Sequence, residues 1–376
     1  MLSVNSMKVF EFIKKNKVLS IAVTAAILTC FIVPPDIEYI SYFDFKTLTC
    51  LFCVLAVVCA FKNINFFYIL AERTVRMFKT LRLVILALIY ITFIGSMLIA
   101  NDMALLTFLP LGYYVLKTTH NRRYMAFTFI MQNIAANLGG MLTPFGNPQN
   151  LYLYSHFNIP DSEFVGIMAI PFIISVVLIT VCCLFVKNIP LEIKDEPVYL
   201  DVKKAVLYAV LFVLSIAIVF RGIPYYIGLL IIPTVLFFAD KESLRMVDYP
   251  LLFTFVAFFV FSGNMSRISV IRELFGILLE KSTLVFSVLS CQIISNVPSA
   301  ILLSQFTDNY RELLIGVNIG GVGTLIASLA SLITFGEFKK HNPGRTKYYV
   351  KMFSAFNFGF LFVLTTAILV LDKIFM

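Results

Sequence analysis

A 376-residue chain that is 60% hydrophobic and only 14% charged falls well short of the charge of a soluble domain, roughly 25%. The net charge of +9 raises nucleic acid as a partner, but the cations sit between apolar runs and form no polyanion-binding surface. Strand-like alternation of the kind an outer-membrane barrel needs is missing, so composition leaves an all-α polytopic membrane protein.

In chain order, Lys8, Lys14, Lys15 and Lys17 precede a first apolar run at 18–34, which predicts a cytoplasmic N-terminus in the cell membrane. The run lacks a small-residue cleavage site and reads as a span, not a removable signal. Asp36, Glu38 and Asp44 mark the next connection as external. Further crossings are expected at 46–62, 122–157 (broken), 164–186, 203–220, 224–239, 247–262, 310–335 (broken) and 348–372. On this map 23 of the 30 Lys and Arg fall in cytoplasmic segments.

Two further apolar stretches, 83–116 and 282–307, turn at a polar point. At about 16 residues per arm, the first reaches roughly 24 Å, short of a ~30 Å core. The second is shorter still, so both are expected to be re-entrant helical hairpins. Each follows an amphipathic segment, 63–80 or 264–280, read either as a solvated connection or as a helix lying in the interface.

The order span, amphipathic segment, hairpin, broken span, closing span thus occurs twice. Crossing counts make the repeats inverted. The expected divisions are 1–43 (N-terminus and first span), 44–187 (first repeat), 188–245 (linker and two connecting spans) and 246–376 (second repeat). The one long polar linker is 187–202, with Lys187, Glu192, Lys194, Asp195, Glu196 and Asp201.

The first hairpin turns at Ala100-Asn101-Asp102-Met103, and Asp102 is the only Asp, Glu, Lys or Arg between Arg82 and Lys117. An intramembrane carboxylate is costly and points to function, as a cation ligand or proton acceptor. Its structural alternative is an N-cap for the second arm, Met103 to Leu116. The second hairpin turns at Ile294-Ser295-Asn296-Val297-Pro298 and carries no carboxylate.

The broken spans share N-x-G-G-x-x-T, as Asn137-Leu138-Gly139-Gly140-Met141-Leu142-Thr143 and Asn318-Ile319-Gly320-Gly321-Val322-Gly323-Thr324. Tight packing through small residues accounts for the glycines. It does not account for Asn147-Pro148-Gln149-Asn150. Unwound glycine segments present carbonyls to sodium and half-helix N-termini to an anion, and paired breaks in two halves mark a secondary transporter's binding site.

The seven cysteines lie in apolar runs; Cys50 and Cys53, although spaced C-x-x-C, read as small buried hydrophobes. His120, His156 and His341 receive no chemistry. A membrane enzyme would need clustered His, Asp or Glu in the spans. No G-x-x-x-x-G-K-[ST] is present, so a driving ATPase would be another chain.

The run 133–150, N-I-A-A-N-L-G-G-M-L-T-P-F-G-N-P-Q-N, resembles the broken-helix signature of the ion-transporter superfamily. That group includes citrate-type carriers, divalent-anion/sodium symporters, arsenite permeases and a class of sodium/proton antiporters. The two hairpin turns resemble its re-entrant tips, and the likeness spans about 44–372. It implies an inverted-repeat transporter with two re-entrant hairpins and two broken transmembrane helices, assembled as a homodimer.

By the same resemblance, Asn101, Asp102, Asn137, Gly139, Gly140 and Asn147 would form one cation-side half-site. Ser295, Asn296, Asn318, Gly320, Gly321 and Ser328 would form the other. Asn101, Thr143, Asn147, Asn150, Asn296 and Thr324 would face the substrate. Divalent-anion symporters carry Ser-Asn-Thr at both tips, whereas this chain has Ala-Asn-Asp and Ser-Asn-Val, closer to the arsenite and sodium/proton branch. The expectation is a secondary carrier for a small anion, citrate- or dicarboxylate-like or an inorganic oxyanion, with sodium or protons as coupling ion and no other cofactor. The alternative is a sodium/proton antiporter using Asp102 alone.

Overall fold

The computed structural model describes residues 16–191 and 200–375. Lys8, Lys14 and Lys15 of the N-terminal charge signal, and Glu192, Lys194, Asp195 and Glu196 of the linker, lie outside them. The described residues are almost wholly helical, and the only strand-like pairing among them is one bridge between Thr80 and Pro190.

The first apolar run forms α1 (Lys17–Cys30), an apolar helix of 14 residues that ends before Pro34 and Pro35. A 3-10 turn, Ile37–Tyr42, leads into α2 (Phe45–Asn63), which Asp44 caps by accepting from Thr47 N. Cys50 and Cys53 are both buried in α2. The amphipathic segment after it is α3 (Phe66–Arg76), whose Ile69, Ala71, Glu72 and Val75 are buried. Glu72 meets Arg76 at 2.7 Å.

A first helix pair follows, α4 (Leu81–Ile99) and α5 (Asn101–Thr118), joined through Ala100 alone. Its arms have 19 and 18 residues, about 28 and 27 Å long, and exceed the 16 expected from sequence. The first broken span is α6 (Met125–Gly139), a 3-10 turn at Gly140–Leu142, and α7 (Pro148–His156). α8 (Asp161–Leu184), α9 (Val202–Val219) and α10 (Tyr225–Ala239) come next, then a short α11 (Lys241–Arg245). Asp240, which receives bonds from Asn63 Nδ2 at 2.9 Å and Tyr208 Oη at 2.9 Å, fastens the α10–α11 junction to α2 and α9.

α12 (Tyr249–Arg267) continues to Arg267, so residues 264–267 belong to a span rather than to the amphipathic segment. Arg267 is held there by Asp36, at 2.6 and 3.0 Å. α13 (Ser269–Lys281) buries only Leu279, leaving Val270, Leu274 and Ile277 exposed. The second helix pair is α14 (Thr283–Ile294) and α15 (Asn296–Leu303), joined through Ser295. Arms of 12 and 8 residues are too short to cross a ~30 Å core. The second broken span is α16 (Tyr310–Ile319) and α17 (Leu329–His341), and α18 (Thr346–Phe375) closes the chain.

Among the described residues, six helices are long and apolar enough to span a bilayer, including α2, α4, α8, α9 and α12. Along α8, Ile173, Val177 and Val181 recur every fourth residue and are exposed; Val202, Val206 and Val210 do the same along α9. Such a stripe faces hydrocarbon. The chain is an all-α, polytopic integral membrane protein.

Ala100 and Ser295 adopt nearly the same backbone conformation, φ 63°, ψ 152° and φ 76°, ψ 160°. Only glycine enters this region without strain, which costs roughly 1–3 kcal/mol for other residues. We expect Ala100→Gly to raise stability by about 1 kcal/mol, after the added freedom of the unfolded chain is subtracted. Ala100→Val, with a branched Cβ, should lower it by about 2 kcal/mol. Thermal unfolding of the three proteins in one detergent checks the order.

Candidate functional site

The two halves repeat one hydrogen-bond register. Asn101 N donates to Gly146 O (3.2 Å), and Asn296 N donates to Ala327 O (3.0 Å). In each half that acceptor lies three residues after the motif threonine. The threonines themselves donate to the carbonyl three residues before each tip: Thr143 to Met97 O (2.7 Å) and Thr324 to Gln292 O (3.1 Å). The motif asparagines each cap their own helix turn, Asn137 onto Asn133 O (3.1 Å) and Asn318 onto Leu314 O (2.8 Å). The tip asparagines each accept from the next N–H, that of Asp102 or Val297, at 2.9 Å.

Local sequence dictates this arrangement. At Gly139 an added Cβ would stand 2.2 Å from Phe93 O, and at Gly320 it would stand 2.8 Å from Cys291 Cβ. The first arm of each helix pair can therefore lie against the break only where glycine removes the side chain. Pro148 then starts α7, where no N–H is needed, and Ser328 starts α17 by accepting from Ala330 N at 3.2 Å. The result is a junction where α5, α7, α15 and α17 begin and α6 and α16 end.

Asn318 ties the halves together. Its Oδ1 accepts from Asn147 Nδ2 (3.1 Å) and Gln149 Nε2 (3.3 Å), and its Nδ2 donates to Asn150 Oδ1 (2.6 Å). Asn147 Nδ2 also reaches Asn137 O at 3.2 Å, and Asn101 Nδ2 reaches Asn137 Oδ1 at 3.3 Å. Asn296 and Asn137, from opposite halves, flank Gly321, whose absent Cβ would lie 3.1 and 3.5 Å from their amide atoms. Asn101, Asn137, Asn147, Asn150, Asn296, Asn318 and Ser328 are all buried.

Three enclosed oxygens on this network accept no hydrogen bond: Asp102 Oδ1, Asn147 Oδ1 and Gln149 Oε1. Asp102 sits in the first turn of α5, not at its cap, because the Asn101 side chain takes the first free N–H.

The sequence-chosen residues thus gather at one junction. Within it Thr143 and Thr324 commit their hydroxyls to the helix-pair carbonyls. Asn150 Nδ2 is spent on the break, at 3.2, 3.1 and 3.3 Å from the carbonyls of Gly140, Met141 and Thr143. Gln149 joins the site beyond the residues expected from sequence, its polarity beside Pro148 being the signal for it. The sequence carries no comparable signal for Gln292, whose Nε2 bonds Gly320 O (2.9 Å) and Val322 O (3.3 Å). Asn133 and Ser331, 3.2 Å apart across the halves, extend the network.

An apolar helical bundle that buries a polar junction of helix ends suits a membrane transporter. Residues 9–310 match the model of the citrate transporter family, and the chain belongs to that family. It is 33% identical over 302 residues to the uncharacterized transporter MJ0456 of Methanocaldococcus jannaschii, covering 79% of this chain and 82% of that protein. It is also 27% identical over 281 residues to the inner membrane protein YbiR of Escherichia coli, covering 72% and 73%.

The backbone approach at Gly139 leaves no room for a methyl group. Gly139→Ala is expected to destabilise by roughly 2–3 kcal/mol, since the obstructing atom is a carbonyl that cannot swing away. Gly166→Ala on α8, where an added Cβ meets nothing within 4 Å, should be neutral or slightly stabilising. Melting temperatures of the two variants against wild type read the difference.

Proposed function

We propose that this chain is a secondary active transporter that carries a small anion, citrate- or dicarboxylate-like or an inorganic oxyanion, coupled to sodium or protons. One observation carries the reading: the N-termini of α5, α7, α15 and α17 meet at a junction whose side chains are neutral except for Asp102. Each helix N-terminus acts as roughly half a positive charge. Four of them favour an anion without any Lys or Arg, and neutral amides supply its hydrogen bonds.

The coupling ion belongs on the Asp102 side. The unpartnered oxygens of Asp102, Asn147 and Gln149 are hard acceptors of the kind that suit sodium or a proton. The second half offers Val297 where the first has Asp102, so coupling is asymmetric. In this reading the two helix pairs are re-entrant, the halves are inverted, the N-terminus is cytoplasmic and the protein works as a homodimer. The halves move relative to a site near the bilayer midplane. The enclosed Asp102 oxygen also favours a second reading, a sodium/proton antiporter without an organic substrate.

The deciding measurement is the melting temperature of purified protein with citrate, succinate, sulfate, phosphate or arsenite, each in sodium or in choline. A ligand at about 100 times its Kd stabilises by roughly 2.7 kcal/mol. The expected outcome is a rise for one anion class that requires the coupling cation. A rise with sodium alone, indifferent to every anion, would overturn the anion reading in favour of the antiporter. Asp102→Asn is expected to weaken cation dependence about 10- to 100-fold, the loss of one charge-assisted contact of roughly 1.5–3 kcal/mol. Flux into proteoliposomes against a sodium or pH gradient measures it.

A further inference from the structure

At the ends of α5 and α17 opposite the junction, two turns bring a dense set of cations together. The α5–α6 turn carries Lys117, Arg122 and Arg123; the α17–α18 turn carries Lys339, Lys340 and Arg345. They are joined directly: the rings of Tyr113 and His341 stack at 3.6 Å, and Asn342 Nδ2 reaches Met125 Sδ at 2.9 Å. Glu337, the only carboxylate in either turn, is taken by His341 (2.8 Å) and Lys340 (3.6 Å). Among the described residues, Lys117, Arg122, Arg123, Lys339 and Arg345 form no ion pair.

The first turn also has a fixed shape. Asn121 N closes onto Leu116 O at 2.9 Å, its side chain holds Thr119 O at 2.8 Å, and His120 takes the left-handed conformation at φ 58°. This leaves a cleft of about 640 Å³ lined by Lys117, Thr118, His120, Asn121, Arg122 and Arg123, with no acidic residue.

We propose that this cleft binds the phosphate of an anionic membrane phospholipid. The chemistry calls for a phosphate ester, because guanidinium forks pair with its oxygens in a bidentate way. The place calls for a lipid. The cleft stands where α5, α6 and α18 end or begin, the level of the headgroups. Tyr113, Tyr124 and Tyr348 stand there too, with Lys117, Arg123 and Arg345 over their rings at 5.5, 5.0 and 5.7 Å. Basic pockets between spans select anionic headgroups. A headgroup held there touches α5, which starts at the first tip, and stands beside the end of α17, which starts at the second break. It therefore sits on the first half, at the face against which the end of α17 packs through Tyr113 and His341.

The test compares melting temperatures in nanodiscs of phosphatidylcholine with and without phosphatidylglycerol, reading the difference between lipids for each protein so that general destabilisation cancels. Wild type is expected to melt several degrees higher with phosphatidylglycerol. A Lys117→Gln, Arg122→Gln, Arg123→Gln variant should lose most of that shift, and Arg122→Gln alone about half. Lys203→Gln with Lys204→Gln, exposed cations at the start of α9, should keep it. Equal losses in the triple variant and the α9 control would overturn the site in favour of a uniformly basic face. So would a wild-type shift that all variants retain, or none at all. A shift of the same size with inorganic phosphate in pure phosphatidylcholine would overturn the lipid as occupant.

Discussion

Everything at the centre of this protein follows from one constraint: a helix that stops inside an apolar bundle leaves carbonyls and N–H groups that water cannot reach. Each such group costs several kcal/mol if it stays unpaired in hydrocarbon. The chain answers with side-chain amides. Asn150 covers three carbonyls of the first break, and Gln292 covers two of the second. One amide follows its break in sequence and the other precedes its break by 28 residues, as Gln292 is to Gly320. The same electrostatic requirement is met from different directions, which is why the halves share geometry better than sequence.

Meeting that requirement with neutral groups shapes the chemistry that remains. Had the breaks been stabilised by Lys or Arg, the junction would hold a permanent positive charge. Amides leave the helix ends as the main source of field, and Asp102 as the only formal charge. The Asn318 contacts show the limit on this economy. Three of the hydrogen bonds that join the halves, to Asn147, Gln149 and Asn150, centre on this one side chain, each worth on the order of 1 kcal/mol net.

Much of this was legible in the residues. The N-x-G-G-x-x-T pair marks both breaks, and the polar tips fall at Ala100 and Ser295, where the helix pairs turn. What could not be read was register. Nothing in Thr143 says that its hydroxyl meets Met97 O, 46 positions earlier; only packing of α4 against the break decides that. The cap alternative for Asp102 rested on residue type, whereas Asn101, one residue earlier, reaches the Asp102 N–H. Helix lengths failed for a related reason. Hydropathy placed the ends of α4 and α5 within the apolar letters, but the backbone continues to Leu81 and Thr118, where polar residues still satisfy helical geometry.

The shared register also explains how two like halves carry unlike chemistry. Asp102 and Val297 occupy the same place after a tip, and Asn147 and Ser328 the same place before a helix, because the bonds that build the fold come from neighbouring atoms. Those bonds use the N–H of Asn101 and Asn296 and the carbonyls of Gly146 and Ala327, none of which depends on a side chain. Side chains one residue away are therefore free to differ. Aspartate after one tip and valine after the other leave the junction with a carboxylate on the first half alone. Exchanging Asp102 for valine would make the tips alike without disturbing a single backbone bond that holds them.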